Sequence, residues 1–221
     1  MVWVEDKINN SSNNWTNNAI GITKSWFKKG LKPRCITRDL RWGIRVPLEK
    51  FAKKCFYVWF DAPIGYMSIT AMYMKNWRDW WMNPDKVELT QFMGKDNVVF
   101  HTIFFPTSLL TSNKQWTTVN HLSVTEYLNY GEKKFSKSKG IGVFGSDLKD
   151  IDNITIDQWR YYLLSVRPEK SDSVFSWEEF AAKNNNDLKN NIGNFINRIL
   201  GFLYKRNKGE VPMINLDLLD K

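Results

Sequence analysis

The sequence predicts an α/β fold: half of a doubly wound parallel sheet, followed by a long helical stretch. Three observations lead there. Apolar, β-branched and aromatic runs at 56–60, 87–93 and 118–125 read as strands, with helix-length segments between them. Strand–helix–strand–helix–strand at this spacing is the pattern of a parallel sheet whose crossovers are helices. After Ser176, apolar residues recur at spacings of three and four, the period of a helix.

Taken in order, residues 9–18 are asparagine- and serine-rich and read as a flexible loop. Ile22 and Trp26 stand at helical spacing and Gly30 is a stop, so a short helix is expected over 19–30. The run 56–60 suits a buried strand. Asp61, Ala62 and Pro63 follow, and proline in a first helical turn loses no hydrogen bond, so a helix is expected to run to about Trp81. The strand over 87–93 closes at Gly94-Lys95-Asp96, and Asp96 is expected to cap a helix reaching about Ser112. A third strand follows over 118–125. Ligands of such sheets bind beyond the carboxyl ends of the strands, where Asp61 and Asp96 fall. Ile156, Trp159 and Leu163 predict a helix over 156–166, stopped before Pro168. Ser176 with Glu179 reads as a capping box. The helix it opens should reach about Arg206, with Leu188, Ile192, Phe195, Ile199 and Leu203 as its apolar stripe. Asp187, Asn191, Asn194 and Arg198 form a polar stripe beside it.

Length and composition bound the class. A chain of 221 residues, 43% hydrophobic and 15% aromatic, can bury a core and is globular. Charge is concentrated: eleven basic residues stand against two acidic ones from Lys24 to Lys54, which equals the net +9 of the whole chain. That window is either a solvated face or a footprint for RNA. Cys35 and Cys55 stand alone, so neither a zinc knuckle nor a disulfide scaffold is expected. There is no apolar run of about 18 residues, so no membrane contact is expected and the chain reads as soluble and intracellular.

The stretch 133–140 packs four lysines, two serines and one aromatic into eight residues, with Gly131 before it and Gly142 and Gly145 after it. It cannot build a core and reads as a mobile surface loop. Its lysines suit phosphate oxygens, but standing alone such an octamer reads first as a solvated basic loop. Lys134-Phe135-Ser136-Lys137-Ser138, however, resembles the Lys-Met-Ser-Lys-Ser signature of class I aminoacyl-tRNA synthetases. The segment from Phe56 to Tyr66 resembles the amino-acid pocket of the methionyl-tRNA synthetase family, and that from Phe92 to His101 its nucleotide side. The three occur in the family's order. Arg34 to Gly43 matches the point where the family's inserted connective domain returns to the catalytic fold. Phe135 in the signature and Gly142 to Gly145 downstream are similar to the eukaryotic cytosolic branch, which implies a cytoplasmic protein.

The resemblance implies the second half of a Rossmann-like sheet and then the start of an α-helical anticodon-binding region. Its domains would be 1–50, the end of the connective insertion; 51–130, the catalytic half-fold; 131–175, the signature loop and stem-contact region; and 176–221, the anticodon-binding start. The reaction implied is methionine activation by ATP, with magnesium, and transfer to tRNA(Met). Lys137 would neutralise charge on the leaving pyrophosphate, with Lys134 a weaker contributor. Gly94 and Asp96 would serve the nucleotide, Asp96 accepting from a ribose hydroxyl or an ammonium. Phe135 would lie near adenine, and the backbone of Leu128 would read it. Trp59, Ala62, Pro63, Tyr66, His101 and Phe105 match methionine-pocket positions, although Phe105 stands where bacterial members carry Trp. Taken singly, Trp59 reads as core and His101 as a satisfied buried histidine; the resemblance reverses that. Asn194 and Arg198 match positions that read the anticodon.

The family's His-x-Gly-His motif is absent, since the only histidines are His101 and His121. Its zinc-bearing part is absent as well. These gaps imply a fragment lacking the amino-terminal half of the catalytic fold and inactive alone. The alternative reading is a non-catalytic tRNA-binding module that has kept the family's tRNA-facing surface. A synthetase for Ile, Val or Leu fits the lysine loop but not Asp61 to Tyr66.

Overall fold

The computed structural model describes residues 2–10, 14–151 and 153–211. The chain divides into two compact units. One comprises Met1–Tyr127 with Pro168–Asp172; the other comprises Leu128–Arg167 with Ser173–Lys221. Both mix helices and strands.

The first unit opens with α1 (Val2–Asn10) and α2 (Asn17–Lys28). The loop expected over 9–18 is therefore shorter: Asn9 and Asn10 are helical, α2 begins at Asn17, and residues 11–13 lie outside the described residues. Val4 and Ile8, one turn apart on α1, share a buried cluster with Trp15, Ala19, Leu122 and Val124. The helix α2 stops at Gly30, whose φ of 77° only glycine adopts freely. Its buried face is Ala19 and Thr23 rather than Ile22 and Trp26. These small residues let the helix approach closely, and the Thr23 hydroxyl donates to Ala19 O at 2.7 Å, beside Thr102 Oγ1 at 3.0 Å.

Next, β1 (Thr37–Arg38) pairs antiparallel with β2 (Cys55–Phe56). Only the first residue of the run 56–60 is strand. From Val58 the chain is helical: α3 (Val58–Asp61), a 3-10 turn Ala62–Ile64 with Pro63 in its first turn, then α4 (Gly65–Tyr73). A five-residue apolar run has no period to tell strand from helix. Packing decided it, because the helical turn sets the Trp59 ring 4.6 Å from that of Phe104. The helix expected to reach Trp81 is broken where Met74 turns extended, and α5 (Trp77–Trp81) folds back. The break lets Trp81 Nε1 donate to Thr70 Oγ1 on α4 at 2.9 Å.

The strand β3 (Leu89–Gly94) leads through a 3-10 turn, Lys95–Asn97, and a π turn, Phe100–Phe104, into α6 (Phe105–Leu110). Asp96 does not cap this helix. Its carboxylate accepts instead from the Tyr127 hydroxyl, a partner that the end of β4 (Val119–Thr125) brings within reach. Parallel to β3 runs β4. In place of the third strand expected from 56–60, Trp15 makes a parallel bridge to Leu122 on β4. The sheet of this unit is thus a parallel pair extended by one residue.

In the second unit, β5 (Leu128–Tyr130) pairs antiparallel with β6 (Lys133–Lys134) and parallel with β7 (Ser173–Phe175). Between β6 and β7 lies α7 (Ile156–Ser165), opened by a capping box between Thr155 and Gln158. It buries Trp159 and Tyr162, whereas Ile156 is 61% exposed. These two pack with Phe175 and Phe180 as the unit's core.

Then α8 (Trp177–Lys183) runs through a π segment, Asn184–Gly193, into α9 (Asn194–Asn207). The Ser176 hydroxyl accepts from Glu179 N–H, but the return half of the box is missing. Glu179 takes the Tyr162 hydroxyl instead, and the Ser176 hydroxyl lies against Glu178 at 2.6 Å. The apolar stripe is open, with Phe195 63% exposed and no residue of α9 buried. A π segment carries more residues per turn, so residues spaced by three and four drift off a single face there.

Candidate functional site

In the first unit, α3, the Ala62–Ile64 turn, α4 and the π turn converge on a cavity of about 400 Å³. Trp59, Ala62, Pro63, Tyr66 and His101 all line it. Phe105 does not. It is 2% exposed and stands behind Tyr66, ring centroids 6.0 Å apart, in a core with Met67, Trp81 and Leu109. Val58, Asn97 and Phe100 line the cavity too, and sequence reasoning did not single them out. Asn97 had one usable signal, its place one turn before His101 on the same helical face.

The histidine is held in one tautomer. Its Nδ1 lies 2.8 Å from Asn97 O, and a carbonyl can only accept, so Nδ1 carries the proton. The Tyr66 hydroxyl lies 2.8 Å from Nε2 and therefore donates to it when the ring is neutral. Burial pushes the imidazole below its ordinary 6.5, against the pull of the Asn97 carbonyl, which favours the cation. Tyr66 keeps 40% of its surface open, yet desolvation around its hydroxyl raises the phenol above its ordinary 10. The pair is accordingly uncharged at neutral pH. The π turn that presents His101 has a local cause: Pro106 has no N–H to give, and just before it Phe105 N–H reaches back to Phe100 O. Aromatic walls with one neutral polar pair suit an apolar, polarizable guest such as a thioether.

At the end of β3, Gly94 has ordinary backbone angles and room for a Cβ. Asp96 is held by Tyr127, whose N–H donates to Asp172 at 2.9 Å. Lys95 lies 4.1 Å from the Tyr127 ring centroid and bonds Glu126 at 2.6 Å and Asp172 at 2.8 Å. Those bonds, Asp172 first, raise the Lys95 ammonium well above its ordinary range. Lys95, followed by Asn18, holds the Glu126 carboxyl below its own. Asp61, which lines a neighbouring cavity, has its Oδ1 buried with no hydrogen-bond partner among the described residues.

The other expected residues belong to the second unit. Lys134 ends β6 and Lys137 opens the exposed 3-10 turn Lys137–Lys139. Two bonds between Ser136 and Ile141, of 2.8 and 3.0 Å, close this loop, and Gly140 turns it at φ 62°. Phe135 packs edge-on to Tyr130 and Phe144, ring centroids 5.6 and 6.3 Å away. Leu128 opens β5, paired with Ser173 on one side and beyond the end of β6 on the other. On α9, Asn194 donates back to Asn190 O at 2.8 Å, and Arg198 is exposed. Among the described residues no cluster of three His, Cys, Asp or Glu could hold a metal, and no helix is long and apolar enough to cross a membrane.

Comparison with known proteins gives a consistent result. A family model described as tRNA synthetases class I (M) matches residues 2–200. The cytoplasmic methionine–tRNA ligase of Saccharomyces cerevisiae is 56% identical over 210 residues, covering 95% of this chain and 28% of its own length. A probable methionine–tRNA ligase of Oryza sativa subsp. japonica is 62% identical over 191 residues, 86% of this chain and 24% of its own. The cytoplasmic enzyme of Homo sapiens is 58% identical over 198 residues, 90% of this chain and 22% of its own. The chain thus spans about a quarter of the length of these relatives. Among solved structures, Mycobacterium tuberculosis methionyl-tRNA synthetase bound by methionyl-adenylate superposes with a TM-score of 0.73. It is 24% identical and covers 96% of this chain and 41% of its own, a likeness of fold alone.

Proposed function

This chain belongs to the tRNA synthetases class I (M) family, and on that premise we propose that it is the carboxyl-terminal part of the catalytic region of a cytoplasmic methionine–tRNA ligase. The observation that carries the reading is the convergence of Trp59, Ala62, Pro63, Tyr66 and His101 on one aromatic cavity. Methionine is the guest: its thioether lies against the rings, and the neutral Tyr66–His101 pair offers no charge that would favour an ionic side chain. The parallel pair β3 and β4 serves as the second half of a Rossmann-like sheet. Helices α8 and α9 begin the anticodon-binding region.

The reaction has two steps. The methionine carboxylate attacks the α-phosphorus of ATP, supplied with magnesium as substrate, and pyrophosphate leaves. The acyl group then passes to the terminal ribose of tRNA(Met). Such transfer needs positioning and charge neutralisation more than covalent help. Lys137, with Lys134 beside it in sequence, supplies positive charge as it builds on the leaving pyrophosphate. Asp96, held by Tyr127, accepts from a ribose hydroxyl, with Gly94 beside it. Phe135 and the backbone of Leu128 serve adenine. Asn194 and Arg198 meet the anticodon. The amino-terminal half of the catalytic fold is the partner this chain needs, and alone it does not activate methionine.

The test is methionine-dependent exchange of pyrophosphate into ATP. The chain alone is expected to be silent, and the chain joined to the amino-terminal half of a relative such as the Saccharomyces enzyme is expected to exchange. Silence of the joined protein while tRNA binding persists would leave a non-catalytic tRNA-binding module as the better account.

A further inference from the structure

Lys95 stands just beyond the carboxyl end of β3, where a ligand of a parallel sheet binds, yet its ammonium is not free to meet one. It bonds Glu126 at 2.6 Å and Asp172 at 2.8 Å and lies 4.1 Å from the Tyr127 ring centroid. Glu126 is anchored in turn: Asn18 donates to its carboxylate at 3.1 Å, and its N–H donates to Pro168 O at 2.8 Å.

These bonds converge on Tyr127, which is held at three points. Its N–H donates to Asp172 at 2.9 Å, its ring meets the Lys95 ammonium, and its hydroxyl donates to Asp96 Oδ2. The Asp96 bond, followed by desolvation, pushes the phenol above its ordinary 10, so it remains a donor at neutral pH. Asp96 itself is exposed, and among the described residues its Oδ1 has no hydrogen-bond partner. An exposed carboxylate turns freely about two torsions, and a charge-assisted bond to one oxygen removes that freedom and aims the other. The nearby Lys95 cation disfavours a second ammonium at that open oxygen and leaves a neutral hydroxyl as the fitting donor.

We propose, resting on the nucleotide role given to Asp96 above, that Tyr127 is a positioning residue for the ribose: anchored by Lys95 and Asp172, it fixes one oxygen of Asp96 so that the other accepts from a ribose hydroxyl. Lys95 serves the ribose through Tyr127 and meets no phosphate.

The test measures equilibrium binding without chemistry, by dialysis of labelled nucleotide against the chain joined to the amino-terminal half, with methionine left out. Tyr127→Phe should raise the Kd for ATP roughly tenfold, the scale of a misplaced contact, and leave the Kd for methionine, measured separately, unchanged. The loss should vanish with 2′-deoxy-ATP or with 3′-deoxy-ATP, whichever lacks the hydroxyl that Asp96 meets; a merely structural role would weaken all three nucleotides alike. Adding Tyr127→Phe to Asp96→Ala should cost nothing further, since the two residues act as one. Lys95→Met should weaken adenosine and ATP by the same factor, whereas a phosphate contact would show in ATP alone. Unchanged ATP binding by Tyr127→Phe overturns the proposal, as does a loss that persists with both deoxy analogues, or a Lys95→Met loss confined to ATP. A joined protein that binds ATP without exchanging pyrophosphate counts against the ligase reading only, and one that binds no ATP overturns both.

Discussion

The hydroxyl of Tyr66 and Nε2 of His101 lie 2.8 Å apart, and the proton between them belongs to the tyrosine. The Asn97 carbonyl on the far side of the ring has already claimed the imidazole's one proton. Tyr66→Phe therefore leaves a buried acceptor with nothing to accept. That should destabilise the protein by about 1–3 kcal/mol, read as a lower urea midpoint with an unchanged slope. A midpoint equal to that of the unaltered chain would mean water replaces the hydroxyl at no cost.

The same histidine sets an acid-side limit on stability. Burial lowers its folded pKa below the ordinary 6.5, so the unfolded chain takes up the proton first. Stability from this group is complete above 6.5 and is lost as pH falls from there towards the folded value. Glu126, held below its ordinary 4.5 by Lys95, contributes stability that is lost only at still lower pH. Unfolding free energy measured from pH 7.5 to 5.0 should fall with pH, and His101→Gln should flatten that fall. An equal slope in both proteins would remove His101 as its source.

Gly142 sits at φ 125°, and a Cβ there would overlap the ring of Phe135. Gly142→Ala is thus strained twice, in its backbone and against an aromatic side chain that cannot leave without opening the second unit's core. A loss of about 1–3 kcal/mol is expected, together with weakened near-ultraviolet circular dichroism. Gly145→Ala, at a position with open space, should change little.

Lys137 stands on an exposed turn, away from any core. In a complete synthetase containing this chain, Lys137→Ala should lower methionine activation turnover and leave the methionine KM nearly unchanged. A cation acting on departing pyrophosphate binds the transition state more than the ground state. A raised KM at full turnover would assign the lysine to substrate binding instead.

Arg198 tests the helical region. Its side chain is exposed, so Arg198→Ala should change stability by about half a kcal/mol or less. If it meets an anticodon base, tRNA discrimination in a complete synthetase should drop by roughly 1–3 kcal/mol, the scale of a single base contact in DNA. Methionine activation without tRNA should be untouched. Equal losses in both steps would mean that Arg198 holds structure.

Several features were determined by the sequence alone because their causes are local. The parallel strands β3 and β4 lie within β-branched and apolar runs bounded by turn residues, and glycine ends α2 where a positive φ is needed. Ser176 starts a helix because its hydroxyl, close in sequence, reaches an orphan N–H. Family membership was equally legible, since three short segments carried it. Five of the six residues expected in the methionine pocket share one cavity because three of its walls are consecutive turns of the same segment.

Tertiary structure decided the rest, wherever one local pattern fitted several partners. The run 56–60 fitted strand or helix until the distant ring of Phe104 drew Trp59 into a helical turn. Asp96 and Glu179 were plausible caps, but each took a tyrosine hydroxyl brought near by the fold. Phe105 matched a pocket position, yet the π turn before it rotates it behind Tyr66 into the core. The stripe on α9 followed helical spacing, but a period names the residues that share a face and not what covers them. Capping and periodicity act over three or four residues, whereas a side chain's partner is chosen by whatever the fold brings within hydrogen-bond or van der Waals reach.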